Sequence, residues 1–366
     1  VEPFTREGLL KWDPYTCTNA DSIQVWRRID AVSFEPDSCQ TGMPDLGYEL
    51  IATLPNVITS GGTTTSVTTY EDTNNGLGLA PGAKYCYRLV ATFPAPRGGE
   101  SYVSDEICIG PIPAAVPVIT HVSVEKTDQQ SGEIRVSWRK PFDANTVQFP
   151  PPYHYKVYRS SGLERLSDSV DISPPGLFSD TTWVDTGLNT KDSAYNYSVT
   201  AFASNGISLG NSMVASSVRL TAKPTFQAIT LNWTASVPWS NSISSTPREH
   251  LIYRGPEGAT EADLVLIASV NVAGDGFRYA DHGQWNNEPL LENEVYCYRV
   301  MTRGGYGNPK IDEPLENFSQ IYCTQLGDTV PPCKMEPPER STLDYVDCND
   351  YYQKFCEQEA YRNIIY

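Results

Sequence analysis

Apolar and polar residues alternate along short stretches of the chain, over about four to seven positions at a time. Ile134–Trp138 is one such stretch. This alternation predicts β-strands that place one face in a core and the other face in water. Segments rich in glycine and proline separate the stretches, as expected for turns. No stretch of useful length has the period of an amphipathic helix. The pattern therefore predicts an all-β protein.

The same order of motifs occurs three times along the chain. A strand that ends in tryptophan is followed by an apolar–aromatic–arginine strand, then by an aromatic-x-Asp motif, and finally by a Tyr-x-Tyr strand. The tryptophan strands are Leu9–Trp12, Ile134–Trp138 and Ile229–Trp233; the arginines are Arg27, Arg159 and Arg254; the aspartates are Asp72, Asp185 and Asp281; and the Tyr-x-Tyr strands begin at Tyr85, Tyr195 and Tyr296. Tyr-x-Tyr recurs at intervals of about 100 residues, the length of one β-sandwich domain. The repetition predicts consecutive sandwich modules, arranged like beads on a string.

Proline-rich stretches separate the copies, and ladder hydrogen bonds cannot continue through them. One of these stretches begins at Gly110. The predicted modules are residues 1–112, 113–222 and 223–330, and residues 331–366 are the predicted start of a fourth. Because the chain begins at Val1 without a leader and stops inside a module, we expect it to be a piece of a longer protein.

Two cysteine pairs lie in equivalent places in the first and third copies. Cys86 and Cys297 each lie between the two tyrosines of a Tyr-x-Tyr strand, and Cys108 and Cys323 lie on the next expected strands. Cross-strand neighbours on one sheet face have Cβ atoms about 4.5–5.5 Å apart, which suits a disulfide after small adjustment. We therefore predict the bonds Cys86–Cys108 and Cys297–Cys323. The period-two alternation places the tyrosines in the core and these cysteines on the solvent side.

Such bonds persist in an oxidising compartment, so a secreted or cell-surface location is expected. The alternative is a cytosolic protein with buried, reduced thiols. Cys17 and Cys39 are a third candidate pair, whereas Cys333, Cys348 and Cys356 leave one cysteine without a partner. The second copy has Asn196 at the cysteine position and is expected to lack the bond.

The charge balance limits the classes of partner. The chain has 27 basic and 44 acidic residues, a net charge of −17. This charge repels phosphate backbones and anionic lipid surfaces. No apolar run approaches the roughly 20 residues that cross a bilayer. We expect neither nucleic-acid binding nor membrane insertion.

Motifs of catalysis are not found in the sequence. Glycine-rich phosphate loops, His-Glu-x-x-His helices and Cys-x-x-Cys pairs are all missing, and the four histidines are scattered. The aspartate of the aromatic-x-Asp motif recurs in every copy, whereas an active-site residue would be expected once. We interpret it as a turn residue, and we expect no catalytic site, no metal site and no cofactor.

Three aromatic residues are predicted to lie in loops: Trp239, Trp285 and Tyr306. An aromatic face exposed in a loop can stack on the C–H groups of a sugar ring, so these residues are candidates for glycan contacts. The other interpretation, which we favour from the sequence, is that they pack against a neighbouring module.

The repeats resemble the fibronectin type III module. The resemblance is carried by the tryptophan on the second strand and by the Tyr-x-Tyr-x-Val strand, which is Tyr195–Val199 in the second copy. It implies tandem fibronectin type III or immunoglobulin-like β-sandwiches with a tyrosine corner. The first copy departs from the pattern because it lacks a clear first strand before Pro3 and carries a long insertion around residues 34–47.

The Tyr-Cys-Tyr-Arg strands, the Asp-Thr-Val-Pro-Pro-Cys linker and the acidic, threonine-rich surface are similar to those of large surface proteins of gliding Bacteroidota. That resemblance implies export by type IX secretion. It also implies O-glycosylation of Asp-Ser/Thr-apolar triplets, with ordinary turns as the alternative. The candidate acceptors are Ser22, Ser169, Ser193 and Thr329.

These observations favour a noncatalytic, secreted or surface-anchored modular protein that acts as a stalk, an adhesin, or a gliding-associated or type IX secretion cargo segment. Its partners would be other surface or secretion-system proteins, and glycans are further candidates. The alternative is a set of accessory, glycan-binding modules of a polysaccharide-degrading enzyme whose catalytic domain lies outside this chain.

Overall fold

The computed structural model describes most of the chain up to Leu326. The described residues are 6–17, 19–34, 40–96, 98–164, 168–225, 227–237, 239, 249–287, 289–291 and 294–326. The predicted start of a fourth module at 331–366, with Cys333, Cys348 and Cys356, lies outside these residues, as do Cys39 and Thr329.

Module 1 is the name used here for the first group of strands. Its strands are β1 (Gly8–Lys11), β2 (Ser22–Ile29), β3 (Glu49–Pro55), β4 (Val57–Ser60), β5 (Thr63–Ser66), β6 (Thr69–Asp72), β7 (Tyr85–Thr92) and β8 (Ile107–Ile109). One sheet pairs β1 with β6, the larger sheet has the order β3-β2-β7-β8, and β4 and β5 form a separate hairpin. The first-strand position of the smaller sheet is unfilled within the described residues, and the prediction that a first strand is lacking before Pro3 concerns residues that lie outside them.

Modules 2 and 3 share one strand order. Module 2 contains β9 (Val118–Lys126), β10 (Gly132–Arg139), β11 (His154–Ser161), β12 (Val170–Asp171), β13 (Thr182–Leu188), β14 (Tyr195–Phe202), β15 (Ser208–Asn211) and β16 (Ala215–Ser216). Module 3 contains β17 (Arg219–Thr225), β18 (Ala228–Thr234), β19 (Glu249–Pro256), β20 (Val265–Asn271), β21 (Arg278–Asp281), β22 (Val295–Gly304), β23 (Leu315–Phe318) and β24 (Tyr322–Gln325), and its short helical turns are Glu261–Asp263, Val272–Asp275 and Trp285–Asn287.

The sheets of modules 2 and 3 have the same connectivity. The smaller sheets are β13-β10-β9 and β17-β18-β21; the larger are β12-β11-β14-β15 with β16 beside β14, and β20-β19-β22-β23 with β24 beside β22. Apolar residues on the inner faces form the cores, with Trp138 and Trp233 buried. The predicted all-β class, tandem fibronectin type III/immunoglobulin-like β-sandwiches, is confirmed. Among the described helical turns, none has the length to span a bilayer.

The predicted boundary between residues 222 and 223 falls inside β17, which begins at Arg219 and pairs with β18. Pro224 lies within this strand. A proline is tolerated there because β17 is an edge strand, where one side of the backbone needs no ladder partner. Proline content therefore placed this boundary a few residues late. The remaining boundaries stay predictions.

The three modules do not fold as separate units with separate cores. Module 3 has a core cluster of its own around Trp233. The cores of modules 1 and 2, however, form one continuous cluster that also takes in Trp239, Tyr306 and Ile311 from module 3. Module 3 therefore folds back onto both preceding modules.

Residues 305–314 of module 3, the wedge loop, enter the joint between modules 1 and 2. The Tyr306 hydroxyl donates to the carbonyl of Ile119 in module 2 at 2.9 Å. The backbone N–H of Lys84 in module 1 donates to the carbonyl of Tyr306 at 2.9 Å. The Asn308 amide donates to the carbonyl of Gly82 at 2.8 Å. One loop therefore joins three modules through buried polar contacts.

Candidate functional site at the module junction

The repeated aspartates are buried acceptors that connect the two sheets of each module. In module 1, Arg27 Nη1 lies 2.9 Å from Asp72 Oδ2. The hydroxyl of Tyr87 donates to the same oxygen at 2.9 Å. The equivalent contacts are Arg159–Asp185 at 2.9 Å and Tyr197–Asp185 at 2.9 Å in module 2, and Arg254–Asp281 at 2.8 Å and Tyr298–Asp281 at 2.9 Å in module 3. We call each set an Arg–Asp–Tyr cluster.

In each cluster the aspartate accepts hydrogen bonds from both the arginine and the tyrosine. Burial raises the pKa of Tyr87 far above its usual range, and the charge of Asp72 raises it further. Burial lowers the pKa of Arg27, but the charge and hydrogen bonds of Asp72 outweigh this and raise it overall. The tyrosine is therefore a fixed hydroxyl donor. Because the same cluster stabilises all three modules, we assign it to the fold and not to chemistry.

The predicted turn role of the aspartate is a second, smaller part of its function. Asp72 Oδ1 accepts the N–H of Asn74 at 2.9 Å, and Asp281 Oδ1 accepts the N–H of Gly283 at 2.9 Å. The sequence reasoning missed the link to arginine and tyrosine. The available signal was that all three residues recur together in every copy.

The first tyrosine of each Tyr-x-Tyr strand forms the tyrosine corner that the resemblance implied. Its hydroxyl accepts a backbone N–H a few residues upstream, and the cluster arginine lies over its ring. The pairs are Tyr85 with Ala80 at 2.8 Å, Tyr195 with Asn189 at 3.2 Å and Tyr296 with Leu291 at 2.8 Å. The guanidinium carbon lies 5.5 to 5.7 Å from each ring centroid.

Both main disulfides are present, Cys86–Cys108 and Cys297–Cys323. In each, the two cysteines are directly opposed on paired strands. The prediction that these bonds lie on the solvent side is wrong for one half of each, because Cys86 and Cys297 are fully buried. Cys323 is exposed.

In module 1 the insertion after β2 covers the outer face of the sheet beside the disulfide. Arg88, on the cysteine side of β7, donates from Nε to the hydroxyl of Tyr48 at 3.0 Å. Its guanidinium also lies 5.9 Å from the ring centroid of Phe34. In module 3, Arg299 Nη1 contacts Glu261 at 2.8 Å in the same way. A period-two pattern cannot reveal such a second cover over the outer face.

The remaining cysteine predictions receive less support. Cys17 is an exposed free thiol, and its candidate partner Cys39 lies outside the described residues. Within the described part of the chain, Cys86, Cys108 and Glu106 are the grouping whose ligand atoms lie close enough to hold a metal ion. Both sulfur atoms are already bonded to each other, so they offer no thiolate ligand.

The loop aromatics do not form an exposed platform. Trp239 and Tyr306 are 0% and 2% exposed. Their rings are 5.9 Å apart at the junction, so stacking on a sugar is excluded at both. Tyr306 contacts the neighbouring module 2 through the carbonyl of Ile119. Trp285 is half-buried, and the guanidinium of Arg254 lies 5.8 Å from its ring centroid.

The candidate O-glycosylation sites differ in access. Ser22 is buried, and its hydroxyl lies 2.6 Å from that of Thr92, so the prediction of a sugar there is wrong. It failed because the triplet lies at the start of β2 and not in a turn. Ser169 and Ser193 are half-buried and stay predictions.

A groove of about 680 Å³ lies between modules 1 and 2. Ligand sites commonly have about 300–1,000 Å³. Module 1 contributes Arg6, Asn75 and Leu77, and module 2 contributes Glu164 and Met213. Arg6 spans the two modules, because its guanidinium donates to the Met213 sulfur at 3.4 Å and to the Leu77 carbonyl at 3.0 Å. No sequence signal pointed to this contact.

The groove combines planar polar groups with apolar surface. Leu77 is 66% exposed beside the half-buried Met213. Arg27 also lines the groove, and its Nε has no acceptor within the described residues. Asn74 and Asn75 reach it from left-handed backbone, with φ of 49° and 55°. Guanidinium, amide and carboxylate groups around an apolar patch suit a neutral, hydroxyl-rich ligand. Histidine and cysteine are missing from its described lining.

Comparisons with known proteins give little more. No protein-family model matches the chain, and no curated protein matches it. Among solved structures, the chain is similar to the FN1–FN3 domains of chicken CNTN1, with 14% identity and a TM-score of 0.20. The match covers 89% of this chain and 96% of that chain. A likeness at that score carries no argument, so the fold assignment rests on the strand order and the cores described above.

Proposed function

We propose that this chain is a noncatalytic segment of a secreted or surface protein, in which three β-sandwiches form one rigid body that presents binding surfaces. Among the roles expected from the sequence, this proposal favours an adhesive platform over an extended stalk. The narrower assignment, a gliding-associated cargo of type IX secretion in Bacteroidota, rests on the sequence motifs alone.

The wedge loop is the observation that carries this proposal. It contacts modules 1 and 2 through Tyr306 and Asn308, and Trp239 packs behind it. A flexible string of modules would not bury a tryptophan and a tyrosine completely at a three-way joint. The disulfides support an oxidising, extracytoplasmic location.

Small-angle X-ray scattering of the chain and of Tyr306→Ala tests the rigid body. The unaltered chain should scatter as one compact particle. Tyr306→Ala should increase the radius of gyration, because module 3 loses its buried anchor. Val147→Ala, at a residue that is 92% exposed, is the control and should change nothing. An extended, flexible particle for the unaltered chain would contradict the proposal.

The groove favours a second candidate function, glycan binding, which is the role of an accessory module of a polysaccharide-degrading enzyme. A glycan array followed by titration calorimetry with neutral oligosaccharides tests it. Asn75→Ala and Leu77→Ala should each weaken binding about tenfold, because each substitution removes a side chain that would contact the ligand in the groove. Neither substitution removes the partner of a buried polar group. Leu177→Ala, at an exposed site in module 2, is the matched control. Binding that ignores the groove variants would contradict a site there.

A further inference from the structure

One feature of module 1 is not repeated in the described parts of modules 2 and 3. The hairpin of β4 and β5, here called the arm, forms a two-stranded sheet of its own. Gly61 and Gly62 close it with φ of 58° and 84°, as in a type I′ turn. Every residue of the arm is exposed except Ser66, which is half-buried. The arm therefore extends from the body without packing on the core.

The register shows which backbone groups face outward. Ser60 pairs with Thr63 beside the turn, and Ile58 pairs with Thr65. The N–H of Val67 donates to the carbonyl of Asn56 at 2.9 Å, which continues the same alternation. In an antiparallel pair, every second residue bonds across the hairpin and the others point away.

The outward-pointing residues are therefore Val57 and Thr59 on β4, and Thr64 and Ser66 on β5. Their backbone N–H and C=O groups have no backbone partner among the described residues. The hydroxyls of Thr59 and Thr64 lie 2.9 Å apart on the same face, as expected for a pair whose backbone groups do not bond to each other. The arm thus has two free edges.

Proteins usually protect such edges with lysine, proline or a bulge. Residues 50–70 contain no charged residue, and the single proline is Pro55, outside the arm. The ladder between β4 and β5 has no bulge. An isolated two-stranded hairpin is only marginally stable in water, and further strands stabilise it. The arm therefore lacks both protection and the additional strand that would stabilise it.

The charge of the molecule limits where two copies can meet. Two copies of a chain with net charge −17 repel each other over most of their surfaces. The arm is the described hairpin where an uncharged segment projects from the body, so two copies can approach there. The same edge is present on every copy, and antiparallel pairing of identical strands satisfies two-fold symmetry.

We propose that the arm is a self-association surface: β4–β5 of one copy pairs edge to edge with β4–β5 of a second copy, making a four-stranded antiparallel sheet. Backbone hydrogen bonds supply the contact, and the β-branched side chains of valine, isoleucine and threonine suit the pleated surface. The interface is small, so the dimer is weak and concentration-dependent. This inference goes beyond the proposed function and does not depend on it.

Sedimentation equilibrium of the full chain tests the proposal, over concentrations from about 1 to 300 µM, the range expected for an interface below about 1,200 Å². Thr59→Pro removes an outward N–H from β4, and Thr64→Pro removes one from β5. Neither change removes a backbone hydrogen bond within the hairpin, although each removes the contact between the Thr59 and Thr64 hydroxyls. The proline at the pairing edge should raise the dimer dissociation constant at least about tenfold, since two symmetric hydrogen bonds are lost. Thr59→Ser and Thr64→Ser keep the N–H and should retain the dimer.

Hydrogen exchange gives an independent measurement that also detects misfolding. Raising the protein concentration should slow exchange at the outward amides of one edge, while the inward amides of Ile58 and Thr65 stay as protected as before. A monomer over the whole range would overturn the proposal. A dimer that persists in Thr59→Pro and also in Thr64→Pro would overturn it too. So would amides of the arm that become protected from exchange only when a strand of a different protein binds.

Discussion

Modules 2 and 3 have the same strand order and the same Arg–Asp–Tyr cluster, yet they differ beside the core tryptophan. In module 2, Trp138 packs edge-on against Tyr155 at 5.4 Å, and its Nε1 has no acceptor among the described residues. In module 3, Trp233 Nε1 donates to His250 Nδ1 at 2.9 Å. Tyr155 and His250 occupy the same position relative to the cluster arginine. The same position in the sandwich therefore provides an aromatic contact to the core tryptophan in module 2 and a hydrogen bond to it in module 3.

The two modules also differ where the last strand meets the Tyr-x-Tyr strand. Cys297 is bonded to Cys323 in module 3, whereas Asn196 lies opposite Ser216 in module 2. The buried Asn196 amide nitrogen donates to the carbonyls of Ser161, Gly162 and Glu164, at 3.4, 3.2 and 2.8 Å. The comparison teaches that the cluster is the shared requirement of the fold, and that the disulfide is one of two ways to close this edge.

The largest expected effect comes from the cluster aspartates. Asp281→Ala should lower the free energy of unfolding by about 3–5 kcal/mol, because it leaves a buried arginine charge without a partner. Asp185→Ala should cost less. The side chain of Arg159 is 28% exposed, against 8% for Arg254, and can reach water. Urea unfolding measures both values, with the exposed Asp180→Ala as control; equal losses in the two modules would contradict the comparison.

The next-largest difference between modules 2 and 3 is expected when the disulfide of module 3 is removed. Cys297→Ala combined with Cys323→Ala should destabilise module 3 by about 3 kcal/mol, because the unfolded chain regains the freedom of a closed loop of this size. Module 2 contains no cysteine among its described residues and should be unaffected. Hydrogen exchange resolved by peptide distinguishes the two modules. Loss of protection in β14 would show that they unfold as one unit.

Acid should destabilise module 3 through His250. Burial lowers the pKa of His250 to about 3, whereas an unfolded histidine titrates near 6.5. The folded state favours the neutral ring, so its contribution is fully present above pH 6.5 and is lost as the pH falls toward 3. The expected slope well below pH 6.5 is about 1.4 kcal/mol per pH unit.

The equivalent Tyr155 stays uncharged over that range, because burial raises its pKa to about 12. His250→Tyr therefore imitates module 2 and should remove this part of the acid dependence, as measured by urea unfolding between pH 4 and 7. A slope unchanged in His250→Tyr would assign the acid sensitivity to other groups.

The smallest expected effect is at Asn196. Asn196→Ala should cost about 1–2 kcal/mol, because three backbone carbonyls lose their donor. Exchange should speed up mainly in the segment after β11, which includes Gly162 and Glu164. Asn205→Ala, at an exposed loop asparagine, is the matched control. A loss spread evenly over module 2 would contradict a local role.

The repeated residues made the sandwiches predictable. Asp72, Arg27 and Tyr87 recur with their strands in each copy, so the strand order and both disulfide pairs could be inferred from one sequence. Their mutual contact could not, because it joins two sheets through side chains that lie far apart along the chain.

Contacts between modules were the least predictable part. Tyr306 and Trp239 lie in loops where the sequence shows no period, and only the fold-back of module 3 buries them. The burial of Cys86 was missed for a similar reason, since an insertion covers the outer face of its sheet. A single sequence carries no signal for such long-range covering.

The central claim is that the three sandwiches form one body, and the amide of Val122 tests it most directly. β9 is an edge strand of module 2, yet the N–H of Val122 donates to Asn317 Oδ1 of module 3 at 2.8 Å. The N–H of Phe318 in module 3 donates to the hydroxyl of Ser123 at 3.1 Å. Hydrogen exchange by NMR should find both amides protected as strongly as the amides inside the sheets, because their exchange requires the modules to separate. Exchange of both at the rate of a solvent-exposed edge would show that the modules move independently.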